Sequence, residues 1–132
     1  MNLRLSIGLQ QRLNDLAMRT GRPKAALIET LIDEAERERR YPGLRFRGPE
    51  WNRRACLAGT SLDVWQIVRA LQDFANDADL MARKTDVSRP QLSLALAYYS
   101  EFPDEIDSAI ALDRRPLTQL KRQYPFIELF GA

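Results

Sequence analysis

The 132 residues predict a mainly helical chain: a short strand and two helices, then a small hairpin, then three to four further helices. Three observations carry this. Asn2-Leu3-Arg4-Leu5 alternates polar and apolar side chains, as a half-buried strand does. Two apolar helical faces follow, separated by Thr20-Gly21-Arg22-Pro23, a signal that ends one helix and starts another. Beyond residue 60, cap residues recur before short apolar stretches, with no strand-like alternation between them.

Each element has its own grounds. Ser6 sits where a helix N-cap belongs, ahead of Leu9, Leu13, Leu16 and Ala17 on one face. Ala26, Leu27, Ile28, Leu31, Ile32 and Ala35 form the face of the second helix, which ends in a charged run, Glu36 to Arg40, read as a solvated terminus. Tyr41-Pro42-Gly43 is a turn and linker signal. Leu44-Arg45-Phe46-Arg47 alternates like a strand, Gly48 to Asn52 reads as a loop, and Arg53 to Leu57 returns as a second strand. Gly59-Thr60-Ser61 is expected to cap a helix carrying Val64, Trp65, Val68, Leu71 and Phe74. Asn76-Asp77 starts a short helix with Leu80 and Met81, and Ser88-Arg89-Pro90 starts another, broken at Phe102-Pro103. The last helix, from Asp104 to Arg114, is acidic first and basic last, as the helix dipole prefers.

Composition narrows the function. Residues 1–54 hold 12 Lys/Arg against 7 Asp/Glu, a net of +5, whereas residues 55–132 hold 8 against 11, a net of −3. A basic front suits a polyanion. The chain has no histidine and one cysteine, Cys56, read as a small apolar filler. Histidine-based catalysis, histidine metal sites and zinc–cysteine clusters are thereby excluded. Gly43, Gly48 and Gly59 are too scattered for a phosphate-cradling loop. The acidic start Asp104-Glu105-x-Asp107 complements a helix dipole rather than forming an acid–base pair. No enzyme activity and no cofactor is expected. No apolar run approaches the ~20 residues of a membrane span, and no signal-peptide core follows Met1, so the expected compartment is the cytoplasm.

A strand and two helices within about forty residues own too little core for one chain. The apolar faces therefore call for a second copy, with Leu3, Leu5, Leu27, Ile28, Leu31 and Ile32 as the dimerisation residues. The segment 1–41 resembles the ribbon-helix-helix family of bacterial repressors and antitoxins. Leu3-x-Leu5-Ser6, Leu9-x3-Leu13-x2-Leu16-Ala17, Thr20-Gly21-Arg22 and Leu27-Ile28-x2-Leu31 carry the likeness. The resemblance implies an intertwined dimer whose paired strands enter the major groove of operator DNA. Asn2 and Arg4 would face the bases, arginine pairing with guanine and asparagine with adenine. The start of the second helix would hold a phosphate on free backbone N–H groups, with Arg22 and Lys24 adding charge.

Residues 42–115 are similar to a small homeodomain-like, helix-turn-helix family common in bacterial toxin–antitoxin operons. The likeness rests on Pro42-Gly43-Leu44-Arg45-Phe46, on Leu57-Ala58-Gly59-Thr60-x3-Val64-Trp65-x-Ile67-Val68, and on Ala95 to Tyr99 running into Pro103-Asp104-Glu105-Ile106. That family usually has arginine after Gly-Thr, where this chain has Ser61. The helix in the recognition position offers only Arg89, Gln91, Ser93 and Ser100 as polar groups. It lacks the cations that supply most non-specific DNA affinity. Leu92, Ala95, Leu96 and Tyr99 can pack its own core, which leaves Leu94 and Tyr98 as a second stripe. That stripe meets either a protein partner or the module's own hairpin and last helix.

Residues 116–132, with Arg114 and Arg115 ahead of them, form the third part. Tyr124-Pro125-Phe126-Ile127-Glu128-Leu129-Phe130 is an apolar stretch that needs a cover. In antitoxins of the VapB kind a C-terminal arm wraps a PIN-type ribonuclease toxin. That resemblance implies Leu120, Tyr124, Phe126, Ile127, Leu129 and Phe130 as anchors. It offers Arg114, Arg115, Lys121 or Arg122 as the cation for the toxin's acidic pocket. The alternative cover is the chain's own middle module. The implied function is an antitoxin that neutralises a cognate ribonuclease toxin and represses its own operon as a homodimer or higher even oligomer. A free-standing regulator and an interaction adaptor without DNA affinity are the alternatives.

Overall fold

The computed structural model describes residues 3–113. Within them the chain is mainly helical, with six helices and one two-stranded antiparallel sheet. It divides into two compact units between Thr60 and Ser61.

In the first unit, α1 spans Ile7–Thr20 and α2 spans Lys24–Arg40. Ser6 caps α1 as expected: its backbone is extended, and its hydroxyl accepts the Leu9 N–H at 3.2 Å. Gly21 closes the helix at φ 70°, a left-handed position that glycine takes without strain, and its N–H donates to the Ala17 carbonyl at 2.9 Å. The helix pair owns little core. Leu13 is the buried residue of α1 and Leu27 that of α2, while Leu9, Leu16 and Ala17 are half-buried. Two such side chains contribute about 3–6 kcal/mol, against ~1–2 kcal/mol of backbone entropy for every residue ordered.

The strand expected over Asn2–Leu5 is not formed in its described part, residues 3–5. A strand exists only against a neighbour, and the described sheet pairs β1 with β2 alone.

β1 (Leu44–Arg47) and β2 (Arg54–Leu57) run antiparallel, with Leu44 opposite Leu57 and Arg47 opposite Arg54. Leu44, Ala55, Cys56 and Leu57 are buried. Gly48 bends the chain at φ 111°; a Cβ there would lie 2.3 Å from the Asn52 carbonyl oxygen, so no other residue fits. The hairpin packs on α2. The Phe46 N–H donates to Glu38 Oε1 at 3.2 Å, and the Arg37 guanidinium lies 5.9 Å from the Phe46 ring centre. Arg53 forks onto Glu34, donating at 3.1 Å to Oε2 and at 2.7 Å to Oε1, while also donating to the Gly48 carbonyl at 2.7 Å. The hairpin thus belongs with α1 and α2. Read from sequence, residues 42–115 group the hairpin with the later helices, since alternation defines a ribbon but not the helix it lies on.

The second unit contains α3 (Val64–Asp73), α4 (Ala78–Lys84), α5 (Arg89–Glu101) and α6 (Pro103–Asp113). Its core is Val64, Ile67, Val68 and Leu71 of α3 against Met81, Leu92, Ala95, Tyr98, Ile106 and Ile110. α3 packs on both α5 and α6. Its cap is Asp63, not the Gly59–Ser61 stretch expected: Asp63 and Gln66 form a capping box that satisfies two N–H groups reciprocally. Ser88 and Gln91 do the same for α5.

Between α3 and α4, Ala75 and Asn76 sit at φ 54° and 62°. Left-handed backbone costs a residue with a Cβ roughly 1–2 kcal/mol, and asparagine tolerates it better than alanine. Ala75→Gly is therefore expected to raise stability by ~1 kcal/mol, read as a higher urea midpoint with an unchanged slope.

Candidate nucleic-acid and dimer interface

The exposed apolar residues concentrate in the first unit. Leu3 is 62% exposed, Ile7 75%, Met18 83%, Leu31 40% and Ile32 56%. Ile28 and Ile32 line an open groove of about 850 Å³ along α2, with Ala25 and Ala26 at one end and Glu29, Asp33 and Glu36 on its wall. Of the six residues expected at a dimer contact, Leu3, Leu31 and Ile32 are exposed, and Leu5 and Ile28 are half-buried. Leu27 differs: at 1% exposure it is already spent on the core of its own chain.

The start of α2 has no side-chain cap. Pro23 occupies the cap and makes no side-chain hydrogen bond there, and the first turn has no acidic residue. The first intrahelical donor is the Leu27 N–H, to the Pro23 carbonyl at 3.0 Å. The amides of Lys24, Ala25 and Ala26 precede it and have no helix carbonyl to bond. They carry the positive end of the helix dipole. Lys24 is half-buried beside them.

Arg22 is differently placed from the sequence expectation. Its Nη1 donates to Thr30 Oγ1 and to Glu50 Oε2, both at 3.1 Å, so an internal carboxylate already offsets part of its charge. Thr30 and Glu50 were missed by sequence reading, because neither is a local neighbour of Arg22. Arg4 is exposed, as are Arg12 and Arg19 on α1, which the sequence reading also passed over. Arg53 carries little free charge. Its hydrogen bond to Glu34 holds the guanidinium proton more firmly than usual, overcoming the opposing effect of partial burial.

Asn2 lies outside the described residues, as do all the expected toxin-contact residues, Arg114 and Arg115 through Leu120, Lys121, Arg122, Tyr124, Phe126, Ile127, Leu129 and Phe130.

In the second unit α5 corrects the expected stripe. Tyr98 is 0% exposed and is the largest side chain of the core, while Tyr99 is half-exposed. The Tyr98 hydroxyl donates to Glu105 Oε2 at 2.5 Å, and its ring lies 4.8 Å from that of Phe102. The Tyr99 hydroxyl donates to Asp107 Oδ1 at 2.6 Å, and this bond raises its pKa by stabilising the protonated phenol. Leu94 and Leu96 are half-buried. Among the described residues of this unit, Leu112 is the one exposed large apolar side chain.

No family model, curated protein or solved structure matches this chain. Among the described residues no group of three His, Cys, Asp or Glu could hold a metal ion, and no helix is long and apolar enough to cross a membrane. Cys56 is buried. The first unit combines an exposed apolar face, an uncapped helix start and a basic segment.

Proposed function

We propose that the first unit works as a homodimer, or within a higher even oligomer, that binds operator DNA in the ribbon-helix-helix manner. One observation carries this reading: Leu31 and Ile32 are exposed along α2 and half-buried Ile28 lines the groove with Ile32, next to a helix start without a side-chain cap. A second copy laid along the α2 groove would cover that face. It would also bring two Leu3–Leu5 segments together as a ribbon, with Arg4 turned outward.

The wider function proposed is that of an antitoxin, which represses its own operon and neutralises a cognate PIN-type ribonuclease toxin with residues 116–132. The net charge of +5 on residues 1–54 supports the DNA half. The toxin half rests on the resemblance of the C-terminal segment.

A mobility-shift titration with the chain's own promoter tests the first half. Binding should weaken steeply as salt rises, because each phosphate contact releases counterions. Arg4→Ala should weaken promoter binding by about 1–3 kcal/mol, with a smaller loss on unrelated duplex. Equal losses on both would remove base readout by Arg4. Co-expression with the product of the adjoining reading frame tests the second half: capture of an acidic-site nuclease supports it, and its absence reduces the proposal to a free-standing regulator.

A further inference from the structure

We infer that the hairpin tip is a second contact for duplex DNA, with the indole of Trp51 as its anchor; this rests on the DNA-binding reading above. Trp51 is 84% exposed, a large apolar ring held out in water on the loop between β1 and β2. Its backbone is fixed on both sides. Glu50 before it is bonded to Arg22 at 3.1 Å, and Arg53 beyond it forks onto Glu34 of α2. The loop is closed by the Asn52 N–H donating to the Pro49 carbonyl at 2.9 Å. A ring presented from a fixed backbone loses little freedom when it is covered.

Position and charge select the partner. Arg22 lies two residues before the start of α2, so the Arg22–Glu50 bond ties the tip to the turn that opens that helix. A duplex whose phosphate sits on the first amides of α2 passes the tip. The segment 44–57 holds Arg45, Arg47, Arg53 and Arg54 against Glu50, a net of +3, with Arg53 offset by Glu34 and Glu50 by Arg22. Such a field draws a polyanion rather than an apolar protein pocket. The indole then packs on a sugar or base edge, a contact that does not depend on sequence.

The chain has two tryptophans, so Trp65→Phe leaves Trp51 as the sole indole. In that background, titration with promoter duplex and with unrelated duplex should quench the emission and cut its accessibility to iodide. Trp51→Ala, at a surface position that folding does not need, should lower affinity for both duplexes about tenfold. The salt slope should stay unchanged, since no phosphate contact is lost, and Trp51→Tyr should restore most of the affinity. If the protein binds DNA while Trp51 emission and Trp51→Ala affinity stay unaltered, the tip is no contact. The same holds if the indole responds to a protein partner alone. If neither duplex binds, the DNA reading itself fails and this inference with it.

Discussion

Ile32→Asp is expected to convert the proposed dimer to a monomer with a largely unfolded first unit. The residue is 56% exposed in one chain and lines the α2 groove with Ile28. A two-fold contact between identical faces would bury the new carboxylate and its twin together. Glu29, Asp33 and Glu36 already line that groove, and the Arg22 guanidinium that also lines it is paired with Glu50. An uncompensated buried charge costs about 3–5 kcal/mol, which is a factor of roughly a hundred to several thousand in the dimer dissociation constant. Sedimentation equilibrium would measure the shift, and circular dichroism against concentration would show wild-type helix content falling on dilution. Dimerisation and folding are then one equilibrium. A variant that stays dimeric with wild-type affinity would exclude this face as the contact.

The second large effect is expected at Tyr98. Tyr98→Ala should destabilise the second unit by about 3–5 kcal/mol, the usual cost of emptying a buried aromatic site. Its ring is wholly enclosed, packs near Phe102, and joins α5 to α6 through its hydroxyl on Glu105. Tyr98→Phe keeps the volume and loses only the bond, for about 1 kcal/mol, because the exposed Glu105 carboxylate regains water. The matched change Tyr99→Phe, at a half-exposed site, should cost less again. Urea unfolding followed through Trp65 on α3 reads all three in the unit concerned. Equal losses at Tyr98 and Tyr99 would contradict the observed burial.

Much of this fold was legible because its signals are local. Ser6, Gly21, Asp77 and Ser88 mark helix ends through bonds spanning three or four residues, and each is found where expected. The Asp63-x-x-Gln66 box was equally local, but the adjacent Gly59-Thr60-Ser61 read as the stronger stop. What stayed hidden is non-local. Nothing near Arg22 announces Glu50, and nothing in the alternation of β1 and β2 says that Arg53 will seek Glu34. On α5 the difficulty is different. Apolar residues occur on every side of that helix, so periodicity cannot choose between Tyr98 and Tyr99. Packing against Phe102 and α6 makes the choice. The unpartnered α2 face was legible for the opposite reason: its pattern held more apolar positions than two short helices can cover.

The Arg53 fork has a consequence for how this chain tolerates change. Its guanidinium reaches the Gly48 carbonyl on one side of the tip and both Glu34 oxygens on the other. Surface loops ordinarily absorb added or deleted residues at small cost. Here the distance between Gly48 and Arg53 acts as a ruler. One residue more or fewer would pull the strut off its anchor on α2, so loop length becomes part of the helix's own specification.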